Sequence, residues 1–304
     1  MCKCLVIGGT GFLGTNLCEA LVIAGYEVSA LARGGEKAER LKRILPSVRF
    51  IEADFMTIKN WDMYLDNIDI VFHLVSTTKP SNKDLLYEFS SNVMPTIRFL
   101  EACIDKRLKV IYFSSGGTVY GIPRYLPIDE YHRTEPISAY GIHKLSVEKC
   151  IEYYGRTYDV DYNILRIANP YGEYQDGQGS QGIIGVFLNK LRNRKPLEIW
   201  GNGEAIRDYI YVKDIMSACI KLTTYKGSEK IFNIGSGKGY AVKEVVQIMK
   251  QHFSHRVEIK FLPARIQDVS ANILDISVAI RELKWEPSVM LEDGICIMIG
   301  CQDI

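Results

Sequence analysis

The sequence lacks the features that mark membrane, secreted and metal-binding proteins. No apolar run reaches the roughly 18 residues that a membrane span needs, and too few residues precede the first glycine, Gly8, for a signal peptide. The eight cysteines form neither a Cys-x-x-Cys pair nor a Cys/His cluster at zinc spacing. A net charge of +1 gives no strong electrostatic attraction of the whole protein to nucleic acid or membranes. We therefore expect a cytoplasmic protein with free thiols, no metal, and neither nucleic acid nor membrane as a partner.

The first half of the chain alternates two kinds of segment. Its 304 residues are 47% apolar and 24% charged, as in ordinary globular enzymes. Short β-branched runs alternate with longer amphipathic runs, which predicts a doubly wound α/β (Rossmann) domain over residues 1–168. The predicted strands are Cys4–Ile7, Glu27–Leu31, Val48–Glu52, Ile70–Leu74, Val110–Ser114 and Tyr162–Arg166, and the predicted helices are Leu13–Ala24, Glu36–Leu45, Leu85–Ile104 and Ala139–Tyr158.

This rhythm changes after about Asn169, where several glycines crowd one loop. Shorter mixed elements follow, which predicts a smaller α/β substrate lobe over residues 169–304. We expect the lobe not to be strictly contiguous, because such lobes often return a strand to the main sheet. Its predicted elements are helices Ile183–Arg192 and Val242–His252 and strands Leu197–Trp200 and Lys230–Ile234.

Three glycines follow the first predicted strand at the spacing Gly8-x-x-Gly11-x-x-Gly14. Small residues tighten such a turn, let the backbone approach a pyrophosphate and let the helix pack on the strand. The helix that begins at Phe12 and Leu13 offers free N–H groups and the positive end of its dipole. The pattern predicts a dinucleotide site.

The residues at the end of the second strand do not decide between NAD and NADP as the cofactor. An acidic residue there would bond the adenosine ribose of NAD. The chain has Arg33 instead, with Lys37 and Arg40 beyond it, and a guanidinium suits the 2′-phosphate of NADP. Arg33 can equally cover the adenine face. After the third strand, Asp54 is a candidate partner for the adenine amino group and Phe55 a candidate wall of its pocket.

Tyr140 and Lys144 are four residues apart in "YGIHK", so a helix places both on one face. A free tyrosine titrates near pH 10 and is a poor base at pH 7. A neighbouring ammonium and a nicotinamide cation would favour its phenolate. We predict that Tyr140 is the catalytic base, and that Lys144 lowers its pKa and holds the cofactor ribose.

With these features the chain resembles the extended short-chain dehydrogenase/reductases, and most of all the UDP-glucose 4-epimerase branch of the NAD-dependent epimerase/dehydratase family. The resemblance covers nearly the whole chain. It also rests on "SSGGTVYG" (114–121), "LRIANPYG" (165–172) and "GNGEAIRDYIYVKD" (201–214).

In "SSGGTVYG" the resemblance places the usual catalytic serine of the 4-epimerases on Gly116, which has no hydroxyl. The role of orienting the sugar oxygen is therefore carried over to Thr118, with Ser115 as the alternative. Ser114 would lie against the nicotinamide or pack the strand end.

The resemblance also implies residues that bind the cofactor and the nucleotide sugar. Trp200 would lie beside the nucleotide base, with a buried core tryptophan as the competing interpretation. Asn272 would gate the size of the C2 substituent, and two arginines would bind the diphosphate. The implied cofactor contacts are Leu74 and Asn92, and the implied substrate contacts are Ser76, Thr77, Asn169, Gln181, Trp200, Arg207, Arg265, Asp268 and Asn272.

The implied activity is 4-epimerisation of a UDP-linked hexose through transient oxidation at C4, with NAD as the expected cofactor. The alternative is an NADPH-dependent nucleotide-linked 4-keto-6-deoxysugar reductase, which Arg33 favours. A non-catalytic cofactor-binding regulator is a minor alternative. Dehydration is disfavoured because Gly117-Thr118 stands where dehydratases have an acidic pair. A homodimer through Leu85–Ile104 and Ala139–Tyr158 is typical of similar proteins.

Overall fold

A computed structural model describes residues 1–177, 182–255, 257–264 and 269–300. Its strands and helices are numbered separately in chain order. The strands are β1 Lys3–Ile7, β2 Glu27–Ala32, β3 Arg49–Glu52, β4 Ile70–His73, β5 Lys109–Ser115, β6 Asp161–Ile167, β7 Asn169–Tyr171, β8 Leu197–Trp200, β9 Ile206–Tyr211, β10 Ile231–Ile234, β11 Gly239–Ala241, β12 Ile259–Leu262 and β13 Ala271–Asn272.

The helices alternate with these strands through the first half of the chain. They are α1 Phe12–Ile23, α2 Glu36–Ile44, α3 Asp62–Leu65, α4 Leu85–Glu88, α5 Met94–Cys103, α6 Ala139–Tyr158, α7 Ile183–Arg192, α8 Val212–Thr224, α9 Val242–Lys250, α10 Ser277–Leu283 and α11 Leu291–Ile299.

The main sheet has seven strands in the order β3-β2-β1-β4-β5-β6-β10. Every neighbouring pair in it is parallel. The order reverses between β1 and β4, which is the switch point where open α/β sheets bind ligands. The predicted doubly wound parallel sheet is confirmed.

Alternate side chains of each central strand enter two different cores. In β1, Cys4 and Val6 pack in one cluster, whereas Leu5 and Ile7 pack in the other. This period of two follows from strand geometry, and apolar residues on both faces indicate a sheet covered by helices on both sides. Burial on both faces fixes the strand register and therefore the position of the strand ends.

The segment predicted as one helix from Leu85 to Ile104 is divided in the structure. Between α4 and α5 the backbone forms a π-helical turn, Phe89–Val93. Such turns insert one residue into a helix and occur often at functional sites. Asn92 in this turn is buried and faces the loop after β4. The helical prediction is confirmed in extent, and the π turn is new.

The prediction missed β9 and α8, which lie between two glycine-rich stretches. β9 carries Arg207 and Asp208, and these charged residues hide its apolar alternation. Asp208 is nevertheless fully buried and accepts hydrogen bonds from the backbone of Ser236 and Gly237. α8 packs on α1, and β10 then joins the main sheet beside β6. The chain after residue 168 thus contributes β10 to the large sheet, and α8 and α10 to the helices that cover it.

The remaining strands form small sheets beside the carboxyl ends of the large one. β9 pairs with β7, β11 and β13, and β8 pairs with β12. A third apolar cluster, which includes Tyr171, Leu188 and Val245, lies among them. The division at residue 168 stays a prediction.

Candidate active site

The glycine turn after β1 has the geometry of a cradle. Gly8 has φ +92°, a conformation that residues with a side chain rarely adopt. A Cβ on Gly14 would lie 2.8 Å from Cα of Gly9, so α1 can pack this closely on the turn only with glycine there. At Gly11 a Cβ would approach only the Gly8 carbonyl oxygen, at 3.4 Å, and would project into the cradle. The first turn of α1 carries no acid, so its N–H groups suit an anion.

The end of β2 presents Arg33 as an exposed side chain. A carboxylate also lies here, but it comes from β3. The side chain of Glu52 packs over Gly34 so closely that a Cβ on Gly34 would collide with it. Strand pairing explains this approach, because Ala32 is the register partner of Glu52. Sequence reasoning looked for the acid only on β2 and missed Glu52.

Asp54 and Phe55 follow β3 as predicted, with different surroundings. The Asp54 carboxylate accepts the backbone N–H of Met56 at 3.0 Å. Phe55 is buried, with its ring against those of Trp61 and His73. These contacts give Phe55 a place in the core, and its predicted role at the adenine stays a prediction.

The loop after β4, residues 74–84 and hereafter the β4 loop, crosses the glycine turn. The Leu74 N–H donates to the Ile7 carbonyl at 3.0 Å, and Val75 lies against Gly8. Asn92 accepts the Thr77 N–H at 2.9 Å and donates to its hydroxyl at 2.9 Å. Asn92 therefore anchors this loop, whereas its direct contact with a cofactor stays a prediction.

Tyr140 and Lys144 lie on the first turns of α6, which Ser138 caps by accepting the Gly141 N–H at 3.1 Å. The Lys144 ammonium is 5.8 Å from the centre of the Tyr140 ring. It donates to the Phe113 carbonyl at 2.8 Å, at the end of β5. The helix spacing and this bond bring the pair to the carboxyl edge of the sheet.

Burial dominates the titration of both residues. It lowers the pKa of Lys144 to about 8, while the carboxylates of Glu148 and Glu88 raise it. Burial raises the pKa of Tyr140 to about 12, a hydrogen bond from Ser76 lowers it, and Glu88 raises it. The lowering of the Tyr140 pKa that we expected from Lys144 is not found in the protein by itself; the lowering comes from Ser76, and burial outweighs it. A further cation beside Tyr140 is needed to bring the phenolate into working range.

Thr118 lies beside this pair. A Cβ on Gly141 would be 2.7 Å from the Thr118 carbonyl oxygen, so α6 packs directly on "SSGGTVYG". The Thr118 hydroxyl is buried and has no hydrogen-bond partner within the described residues. A buried hydroxyl of this kind costs free energy unless a ligand bonds it. The geometry therefore suits the predicted steering role of Thr118.

The serines before Thr118 differ in their contacts. The Ser114 hydroxyl donates to the buried Glu148 carboxylate, which matches the interpretation that it packs the strand end. Ser115 lies near Gly117, and so does the amide oxygen of Asn169. Asn169 also donates to the Asp208 carbonyl at 2.8 Å. Ser115 and Asn169 therefore lie together at the predicted sugar site.

Gly116, where the resemblance places a serine, is tightly enclosed. A Cβ there would lie 2.6 Å from the Leu274 side chain and 3.1 Å from the Arg166 carbonyl. Asn272 is 1% exposed and donates to the Gly116 carbonyl at 3.0 Å. The packing accounts for the missing hydroxyl. It also gives Asn272 a contact with the strand-end loop, in addition to any gating role.

The described residues among the predicted nucleotide contacts, Trp200, Arg207 and Asn272, lie on β8, β9 and β13, and their contact with a nucleotide stays a prediction. Trp200 is 44% exposed, which rules out the buried-core alternative. Arg207 on β9 is the register partner of Asn272 on β13, so these two positions are adjacent. Gln181, Arg265 and Asp268 lie outside the described residues.

Sequence reasoning missed a buried ion pair beneath the site. Glu148 and Arg166 are 0% and 2% exposed, and their charged atoms are 2.7 Å apart. Arg166 also donates to the Tyr120 hydroxyl and to the Glu130 carbonyl, each at 3.1 Å. "LRIANPYG" contains Arg166, and its position in an apolar strand was the available signal.

The described part of the chain contains no group of three or more His, Cys, Asp or Glu side chains that could hold a metal. Among the same residues, no helix is long and apolar enough to cross a membrane.

A glycine cradle at the switch point, with a Tyr-x-x-x-Lys helix at the same sheet edge, defines the class of short-chain dehydrogenase/reductase proteins. The model of the NAD dependent epimerase/dehydratase family matches residues 4–235. The chain belongs to this family.

Two relatives and two solved structures illustrate the range within it. A Methanocaldococcus jannaschii protein, named provisionally as a UDP-glucose 4-epimerase, is 36% identical over 96% of this chain and 95% of its own. A dTDP-4-dehydro-6-deoxyglucose reductase of Escherichia coli is 32% identical over 96% and 94%. The UDP-glucose 4-epimerase of Thermotoga maritima, solved with UDP-glucose, has a TM-score of 0.91 at 31% identity, covering 98% and 97%. The Thermus thermophilus UDP-glucose 4-epimerase, solved with NAD, has a TM-score of 0.89 at 26% identity, covering 98% of both chains.

Proposed function

We propose that this protein is a nucleotide-sugar 4-epimerase that acts on a UDP-linked hexose with bound NAD. The observation that carries the proposal is the packing of α6 on "SSGGTVYG", which puts Thr118 beside the helix turn that carries Tyr140 and Lys144. The hydroxyl of Thr118 has no hydrogen-bond partner among the described residues. Epimerases among the similar proteins, at 36% identity and at a TM-score of 0.91, support it.

The residues present fit NAD. The turn of Gly8, Gly11 and Gly14 would hold the pyrophosphate at the start of α1. Glu52 supplies a carboxylate near the end of β2, where it can accept a ribose hydroxyl and would repel a 2′-phosphate. Lys144 would bond the other ribose. When bound, NAD accepts a hydride from C4 of the sugar and later returns it.

Each catalytic residue then has a defined task. Tyr140 takes the proton of the 4-hydroxyl group and later returns it, and Ser76 bonds the Tyr140 oxygen. The Thr118 hydroxyl donates a hydrogen bond to the same sugar oxygen and orients it toward Tyr140. Lys144 stays protonated below its pKa of about 8 and offsets negative charge on Tyr140.

The substrate lobe would hold the nucleotide while the sugar turns. Arg207 would pair with the diphosphate, since a guanidinium bonds two oxygens at once. Arg265 would be a second such arginine and Asp268 a contact to the ribose. The half-exposed ring of Trp200 would stack on the base. Gln181, Asn169, Ser76 and Thr77 would contact the sugar and its phosphate.

The second candidate function is reduction of a nucleotide-linked 4-keto-6-deoxysugar with NADPH. Arg33 is exposed at the end of β2 and can reach a 2′-phosphate. The similarity to an Escherichia coli reductase favours the same alternative. Glu52 opposes it, because its carboxylate lies at the same end of the sheet.

A panel of UDP- and dTDP-sugars, incubated with the enzyme and NAD or NADPH and followed by NMR, tests the proposal. Interconversion of UDP-glucose and UDP-galactose with substoichiometric NAD is the expected result. NADPH consumption with a ketosugar and no epimerisation would establish the reductase instead. Tyr140→Phe is the control and should lose about 10²- to 10⁴-fold in kcat. No turnover of any substrate would favour the cofactor-binding regulator.

Thr118→Val and Ser115→Ala form a matched pair that tests which hydroxyl steers the sugar. Each removes one hydroxyl from the same loop. We expect Thr118→Val to lose about 10²-fold in kcat, as oxyanion-site donors do, and Ser115→Ala to stay within threefold of the wild type. Equal losses in both would show that the steering is shared.

A homodimer is proposed through the exposed faces of α4, α5 and α6. Leu86 on α4 is 81% exposed and Met94 on α5 is 48% exposed. On α6, Tyr153 and Tyr158 are 53% and 43% exposed. Burial of such apolar side chains drives association. Sedimentation of the wild type and of Leu86→Glu would test it. We also propose a cytoplasmic location and the division into 1–168 and 169–304.

A further inference from the structure

A buried carboxylate on α4 lies next to the catalytic pair, and neither the family resemblance nor the proposed mechanism uses it. Glu88 is 0% exposed. Its Oε2 lies 2.7 Å from Nδ1 of His143, the residue before Lys144 on the inner side of α6. The contact is close but lacks hydrogen-bond geometry, since both ring nitrogens of His143 have no hydrogen-bond partner among the described residues. His143 is also fully buried, and its ring meets the Tyr140 ring edge-on at 5.0 Å between centres.

Glu88 also holds the β4 loop. Its carboxylate accepts the Thr78 hydroxyl, the Asn82 amide at 2.9 Å and the Asn92 amide at 3.2 Å. Asn92 in turn bonds Thr77, which follows Ser76 at the proposed sugar site. One side chain therefore connects the π turn, the β4 loop and the catalytic helix.

We propose that Glu88 and His143 are a positioning pair that holds the β4 loop against the face of α6 carrying Tyr140 and Lys144. The inference rests on the proposed function, because it assigns Tyr140 the proton transfer. Through Thr78 and Asn82 the pair sets where Ser76 meets the Tyr140 oxygen. A shift of about 1 Å at such a point can cost about 10²-fold in rate without weakening substrate binding.

The pair also sets the charge around the catalytic residues. A negative charge at Glu88 favours the proton on both Tyr140 and Lys144. The other titratable groups that face them are His73 on β4, Tyr112 on β5 and Glu148 on α6, which Arg166 neutralises. Removal of the Glu88 charge should therefore shift both limbs of the pH–rate profile toward lower pH.

The experiment compares Glu88→Gln, which keeps shape, with Glu292→Gln, which removes an exposed carboxylate from α11. We expect Glu88→Gln to lower kcat at least tenfold, to change KM less than threefold and to shift both pH limbs to lower pH. Glu292→Gln should match the wild type. An unchanged kcat and pH profile in folded Glu88→Gln would overturn the proposal.

His143 offers a second pair of variants should Glu88→Gln fail to fold. His143→Asn keeps a polar group near the Nδ1 position that contacts Glu88, whereas His143→Leu keeps volume without a polar group. The proposal expects His143→Asn to retain most of the wild-type kcat and His143→Leu to lose at least tenfold. Equal activity in the two variants would contradict it.

A titration separates this inference from the proposed function. Phenolate absorbance is followed with NAD present, and the titration of Tyr140→Phe is subtracted. The Tyr140 pKa should be lower in Glu88→Gln than in the wild type, whether or not any nucleotide sugar turns over. An unchanged pKa would sink the electrostatic part of the inference, whereas failure of the substrate panel alone would sink only the proposed function.

Discussion

Two buried carboxylates act on the same Lys144 ammonium, and their surroundings differ. Glu148 bonds the Arg166 guanidinium at 2.7 Å and accepts the Ser114 hydroxyl. Glu88 has neutral donors and a histidine whose pKa burial lowers to about 3. Glu148 raises the pKa of Lys144 more than Glu88 does, although Arg166 is its counter-charge, whereas Glu88 also raises the pKa of Tyr140. The difference is therefore that the Arg166 pair ties Glu148 into the fold, while Glu88, held by neutral donors, faces both catalytic residues.

The largest expected effect separates the two carboxylates by stability. Glu148→Gln leaves the buried Arg166 charge uncompensated, so we expect it to lower the free energy of unfolding by about 3–5 kcal/mol. Glu88→Gln leaves no buried cation without its main partner and should cost about 1–3 kcal/mol. Urea denaturation of both variants measures the difference. Equal losses would break the comparison.

A pH series tests whether the partner of Glu88 is neutral. The pKa of His143 in the folded chain is lowered to about 3 from an ordinary value near 6.5. Below pH 6.5 the unfolded chain binds a proton that the folded chain does not. The contribution of His143 to the free energy of unfolding should therefore be fully present above pH 6.5. Below pH 6.5 it should fall by about 1.4 kcal/mol per pH unit.

The measurement is urea unfolding between pH 7.5 and 5 for the wild type and His143→Asn. His73, whose pKa is also lowered to about 3, contributes equally in both proteins. The slope of the unfolding free energy against pH should be smaller in the variant, by the equivalent of about one bound proton. An identical slope would show that Glu88 keeps His143 protonated in the folded chain, and the two carboxylates would then be alike.

The smallest effects are expected from removal of one hydroxyl group that donates a hydrogen bond to each carboxylate. Ser114→Ala removes the donor to Glu148, and Thr78→Val removes a donor to Glu88. Each should cost about 0.5–1.5 kcal/mol of stability, the net contribution of a typical hydrogen bond, because each carboxylate keeps its other donors. Only Thr78→Val should also lower kcat, because Thr78 belongs to the β4 loop. Stopped assays beside denaturation curves check this, and a loss of kcat in Ser114→Ala alone would reverse the assignment.

Much of the fold could be predicted from the sequence because its patterns are local. The six strands of the first half follow from β-branched runs, and the glycine turn from its spacing. β9 was missed because Arg207 and Asp208 interrupt its apolar pattern, and residues distant in sequence satisfy Asp208. The helix α8, which follows β9 directly, was missed with it. The π turn was missed because part of what holds Asn92 in it, its two hydrogen bonds with Thr77, comes from the β4 loop.

The sequence by itself determined the class of fold, the cofactor turn and the Tyr140–Lys144 spacing, since each depends on residues close together in the chain. The tertiary structure alone decided which carboxylates face Lys144, why Gly116 has no side chain, and that Glu52 stands where β2 lacks an acid. These contacts join strands and helices tens of residues apart, so burial and register created them. For the same reason the pKa of Tyr140, which burial raises, could not be inferred from its neighbours in the sequence.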